Sequence, residues 1–165
     1  NKEEVCGDFE KLINLQLKEK HPKSWMRAFF NMGLINYIEG SRRMLPCQAG
    51  EMNFFVEPYG DIYPCNGLEK KYWKKSIGNI RETPNFKEIW EGKQAEQVRQ
   101  MVRRCPKNCW MVGTASPVMH KYIKYPLKWA LKNKLRSLQG KTACLDKCWY
   151  NVGQDPSQGD LRDVF

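Results

Sequence analysis

Seven cysteines carry the chemistry of this 165-residue chain, and six fall in three ordered groups: Cys47 with Cys65, Cys105 with Cys109, and Cys144 with Cys148. Cys6 stands alone. An odd number excludes complete disulfide pairing within one chain. Two thiolates with three residues between them can chelate one metal ion, or two irons of one cluster, and soft sulfur donors suit zinc, copper(I) and iron–sulfur centres. The amino terminus, Asn1-Lys2-Glu3-Glu4-Val5, is charged and lacks the apolar stretch of a secretory leader, which favours an intracellular, cytoplasmic setting. There, paired thiols read as metal ligands before disulfides. His21 and His120 are isolated, with no serine or carboxylate patterned around either, so a hydrolytic triad has no support.

The elements that must position these thiols can be read from periodicity. Phe9, Leu12, Ile13 and Leu17 recur at helical spacing and predict a helix capped by Asp8 and running to about Lys20. His21-Pro22 breaks it, because the residue before proline is pushed out of the helical region. A second helix is expected from Ser24 to about Glu39, ended by Gly40. Between Cys47 and Cys65 the character turns extended: residues 53–56 and 61–63 are β-prone and flank Glu57-Pro58-Tyr59-Gly60, which predicts a hairpin that brings the two cysteines towards the same end. Asn85 and Glu88 have capping-box spacing, and the helix they open is expected to run to about Arg104, burying Phe86, Ile89, Trp90, Val98, Met101 and Val102 and delivering Cys105. A basic amphipathic helix follows from Val118 to Leu138, with Ile123, Leu127, Ala130, Leu131, Leu135 and Leu138 on one side and lysines on the other; it is expected to pack that stripe on its own domain, the alternatives being an anionic membrane surface or an acidic peptide, and to end at Gly140. The tail from Asn151 to Phe165 is polar.

Cys47 is separated from Gly60 by twelve residues and Gly60 from Cys65 by four. With the hairpin run Phe54 to Cys65, then Gly78-Asn79-Ile80, then Ile89-Trp90, then the pair Cys105 and Cys109 after a helix, this pattern resembles the SPASM and twitch auxiliary-cluster domains of radical S-adenosylmethionine (SAM) enzymes. The resemblance covers about Leu45 to Ala115. It implies that Cys47, Cys65, Cys105 and Cys109 ligate an auxiliary [4Fe–4S] cluster, the usual four-thiolate complement, with Gly60 permitting the tight turn. The C-x2-C-x5-C-x3-C run of a full SPASM domain is absent, which favours a single, twitch-like or reduced site. Cys144 and Cys148 are then ligands to a second centre, replacement ligands for the first, or plain thiols. The motif C-x3-C-x2-C is also absent, so the chain is not expected to be catalytic by itself; the barrel that binds SAM is expected upstream, in cis, and the chain's start without Met is consistent with missing upstream sequence. The implied role is electron relay or substrate docking, with a peptide as a candidate substrate. The alternative is a zinc-stabilised binding module for an anionic partner, whether peptide, nucleic acid or membrane surface, since zinc also accepts four thiolates.

The partner readings rest on charge. The net charge is +10, and from Gln97 to Leu145 there is no Asp or Glu, whereas eleven Lys and Arg fall there. Such a field attracts polyanions or keeps a helical face solvated. Trp73, Trp90, Trp110, Trp129 and Trp149 could be imagined as base-stacking platforms, but Trp90 falls on a core-facing stripe and Trp110 and Trp149 each follow a cysteine, where packing over a metal is the expected role; nucleic acid is disfavoured. Hydrophobic residues make up 41% of the chain and mean hydropathy is -0.70, with no apolar run long enough to span a bilayer. The expected architecture is α+β, a short β-hairpin and surrounding helices around a cysteine metal site. It divides into a helical connector (1–44), a cluster-binding domain (45–117), a basic helix (118–140) and a cysteine-containing polar tail (141–165).

Overall fold

The computed structural model describes residues 1–66, 76–105 and 107–145. Among them lie six helices and one small antiparallel sheet, an α+β architecture: α1 (Lys2–Lys18), α2 (Pro22–Ile38), β1 (Phe55–Val56), β2 (Asp61–Tyr63), β3 (Gly78–Asn79), α3 (Phe86–Glu91), α4 (Lys93–Arg103), α5 (Val112–Lys121) and α6 (Lys124–Leu138). They form two compact units. A helical unit holds α1, α2, α5 and α6; a mixed unit holds the sheet, α3 and α4.

In the helical unit, α1, α2 and α6 pack on one another. Ile13, Leu17, Phe29, Met32, Ile35, Val118 and Trp129 are buried in one apolar cluster with Trp110; each large side chain of this kind contributes about 1.5–3 kcal/mol by leaving water. Helix α1 begins at Lys2 rather than at Asp8, since Glu3 and Glu4 suit the positive end of the helix dipole. Asp8 lies inside the helix and pairs with Lys11 at 3.0 Å. Helix α2 starts at Pro22, where a missing N–H costs nothing, and the chain leaves it through Gly40 at φ +77°. The expected single helix over 118–138 is two. Pro126 cannot donate to the carbonyl four residues earlier, so the chain breaks at Tyr122–Ile123 and restarts with Pro126 in the first turn of α6.

Lys134 is an ordered part of this packing: its ammonium donates to the carbonyls of Leu17, Lys18 and Glu19 at 2.8, 3.1 and 2.8 Å, closing the C-terminal end of α1. The stripe expected to face the core does not. Helix α6 packs inward through Pro126, Trp129, Ala130 and Asn133, while Ile123, Leu127, Leu131, Leu135 and Leu138 are exposed. Ala130 is the one member of that stripe on the packed side, because the buried Trp129 indole turns its whole arc inward.

In the mixed unit the strand order is β1-β2-β3, all antiparallel, with Phe55 opposite Tyr63 and Val56 opposite Ile62. The hairpin turn closes by Gly60 N–H to Glu57 O at 2.9 Å and Glu57 N–H to Asp61 O at 2.8 Å. Gly60 is at φ +92°, and a Cβ there would lie 2.8 Å from Asn79 Oδ1. The residue therefore serves the turn and the close approach of β3, a strand that composition did not reveal. Beneath the sheet, Ile62, Ile77, Ile89, Ala95, Val98 and Val102 form an apolar layer. The expected helix from Asn85 to Arg104 is broken at Gly92, which adopts φ -69°, ψ 160° and ends α3 as it starts α4. Glycine is about 1 kcal/mol poorer than alanine inside a helix, which favours a break there. Met101, expected inside, is exposed; Phe86 and Trp90 are half-buried.

Candidate metal centre

Cys47 and Cys65 both pack against the apolar layer under the sheet. The loop between Cys47 and β1 is folded back on the residue preceding Cys65. Gly50 N–H donates to Asn53 O at 2.8 Å, Ala49 and Asn53 form an isolated parallel bridge, and Asn53 Nδ2 donates to Pro64 O at 3.2 Å. Gly50 is at φ +76°, and a Cβ on it would meet Pro64 Cβ at 3.1 Å. A bare glycine thus lets the two cysteine-bearing segments approach.

Helix α4 leads to Cys105, whose N–H bonds Val102 O at 3.0 Å, and Val102 belongs to the layer that Cys47 and Cys65 touch. Arg99 braces this helix to the Cys47 loop. Its Nε donates to Gly50 O at 2.8 Å and its NH2 group to Trp90 O at 2.5 Å, with the guanidinium 4.8 Å above the Trp90 ring. The side chain is 14% exposed. Arg103 adds a solvent-facing strap to Glu51 at 3.1 Å and to Glu96 at 3.2 Å; the hydrogen bond it donates to Glu51 raises its pKa above the usual arginine value. Such exposed pairs contribute little. Arg99, which composition placed in a basic field, is the residue that sequence reasoning missed, and its only signal was helical spacing from Ala95 and Val102. Arg99→Met is expected to lower unfolding free energy by about 1.5–3 kcal/mol, since it strips charge-assisted hydrogen bonds from two carbonyls; urea denaturation followed by tryptophan fluorescence measures it.

Cys109 lies in the helical unit, where Arg43 holds its carbonyl. The buried Arg43 donates from NH1 to Cys109 O, from NH2 to Thr114 O at 3.1 Å and from Nε to Leu45 O at 2.9 Å. Asn108 donates to Tyr37 O and Ser41 O at 3.2 and 3.1 Å. Trp110, expected to pack over a metal, goes into the helical core instead: its indole N–H donates to Phe30 O at 2.8 Å and its ring lies against Gly33 and Phe29. Trp110 and Trp129 are buried and cannot stack on bases. Cys6 packs against the helical core. Cys144 is tied to α6 by its N–H to Asn133 Oδ1 at 2.7 Å and its carbonyl to Trp129 Nε1 at 3.2 Å. Cys148, Trp73 and Trp149 lie outside the described residues.

The donor chemistry fits an iron–sulfur centre: soft thiols, two of them lining one apolar layer. Among the described residues, no three His, Cys, Asp or Glu side chains are grouped as ligands to one ion. The structure thus brings Cys47 and Cys65 to a common apolar layer. No described helix is long and apolar enough to cross a membrane.

Comparison of the whole chain with curated proteins and with solved structures found no match in either. Residues 47–111, the stretch that contains Cys47, Cys65, Cys105 and Cys109, match the SPASM family model, an iron–sulfur cluster-binding domain.

Proposed function

We propose that this chain is the auxiliary cluster module of a radical SAM enzyme, in which Cys47, Cys65, Cys105 and Cys109 ligate one [4Fe–4S] cluster. The observation that carries the reading is the SPASM match, which encloses all four cysteines; SPASM domains usually occur with a radical SAM domain. When bound, such a cluster supplies one-electron relay, and closure of its irons by four protein thiolates favours relay over direct substrate binding.

The chain's own residues have definable parts. Gly50 and Gly60 allow the close approaches on either side of β1 and β2, Arg99 braces the Cys47 loop, and Arg43 holds the backbone at Cys109. The lysines and arginines between 97 and 145 favour a more negative, reduced centre. In this reading, 1–44 connects to a SAM-binding barrel in cis, 45–117 holds the cluster, 118–140 is a basic helix and 141–165 a tail; the enzyme works in the cytoplasm and a peptide is the candidate substrate.

Anaerobic reconstitution with ferrous iron, sulfide and zinc together, followed by metal and sulfide analysis, tests it. Iron with stoichiometric sulfide and visible charge-transfer absorbance is the expected result. Zinc without sulfide would replace this reading with that of a zinc-stabilised binding module.

A further inference from the structure

We propose that the outward face of α6 is a docking surface for an anionic lipid membrane. Ile123, Leu127, Leu131, Leu135 and Leu138 are between 41 and 71% exposed. At about 100° per residue they occupy one arc of roughly 120°. Lys124, Lys128 and Lys132 border and interleave that arc, and the opposite face is buried through Pro126, Trp129, Ala130 and Asn133. The leucines are therefore not needed to hold the helix in place.

A partner for this face must accept both aliphatic side chains and positive charge. The segment from Gln97 to Leu145 offers no carboxylate, so nothing on it answers basic groups of a partner. The interface of an anionic bilayer meets both needs: leucines enter the acyl boundary while lysine stems lie along it and place their ammonium groups among the phosphates. Nucleic acid would meet the charge but not the leucines; of the two aromatic rings of α6, Trp129 is buried and Tyr125 packs against the helical core. This inference does not depend on the cluster reading.

Flotation of the whole chain with phosphatidylcholine vesicles, with and without phosphatidylglycerol, tests the assignment. The chain is expected to float with the anionic vesicles and to be released by salt. The double variants Leu131→Gln/Leu135→Gln and Lys124→Glu/Lys132→Glu are each expected to lower partitioning by about tenfold or more, with circular dichroism unchanged because none of these side chains is in the core. Equal binding to neutral vesicles, no binding to either, or wild-type binding by both variants overturns the proposal. A concentration-dependent dimer that Leu131→Gln/Leu135→Gln abolishes, without vesicle binding, assigns the face to a second copy of the chain.

Discussion

Cys65→Ala is expected to abolish iron and sulfide uptake on anaerobic reconstitution, whereas Cys6→Ala leaves uptake at the wild-type level. Both thiols are partly buried, so the contrast separates ligation from packing. Cys65 follows Pro64, whose carbonyl accepts from Asn53, and packs on the same layer as Cys47. Cys6 packs on the helical core. Loss of one thiolate of four is expected to cost more than the about 10–100-fold that follows loss of an outer-shell partner. Cys47→Ala, Cys105→Ala and Cys109→Ala should behave as Cys65→Ala does; Cys144→Ala reports whether its group contributes. Equal uptake by the Cys65 and Cys6 variants would sink the ligand assignment. Circular dichroism on the same samples separates loss of a ligand from loss of fold.

Trp110→Ala is expected to destabilise the helical unit by about 3–5 kcal/mol. The indole is buried, donates to Phe30 O, and meets Phe29 edge-on at 6.5 Å with Arg43 5.4 Å from its ring. It fills the space left by Gly33: a Cβ there would lie 2.1 Å from Trp110 Cε2. Gly33→Ala alone should therefore cost about 1–3 kcal/mol through overpacking. In the Trp110→Ala background the same change should be neutral or stabilising, since the clash is gone and alanine is about 1 kcal/mol better than glycine inside a helix. Chemical denaturation of the four proteins of this cycle measures the coupling. Additive effects would show that the glycine and the indole do not share one space.

Local chemistry was legible where a rule acts over a few residues. Proline at 22 and glycine at 40 bound α2, and the hairpin turn is at Glu57-Pro58-Tyr59-Gly60. The cap of α3 was also readable: Asn85 accepts from Lys87 N–H and donates to Glu88. Misplaced breaks had local causes that periodicity overrode. Gly92 and Pro126 each interrupt an otherwise continuous helical stripe. β3 has only two residues, Gly78 and Asn79, and exists because β2 offers it an edge.

By itself, the sequence determined the thiol inventory, the Cys47-Gly60-Cys65 spacing, the α+β character and the one-sided charge, because each depends on residue type and separation along the chain. Only the tertiary structure decided which way α6 faces, that Trp110 belongs to the helical core, and that Arg43 and Arg99 brace cysteine-bearing loops. Those outcomes depend on contacts between residues far apart in sequence: a stripe of leucines looks the same whether covered or bare, and an arginine looks the same on a surface or clasping a carbonyl. The competition for limited buried space, settled by the large rings of Trp129 and Trp110, chose between them.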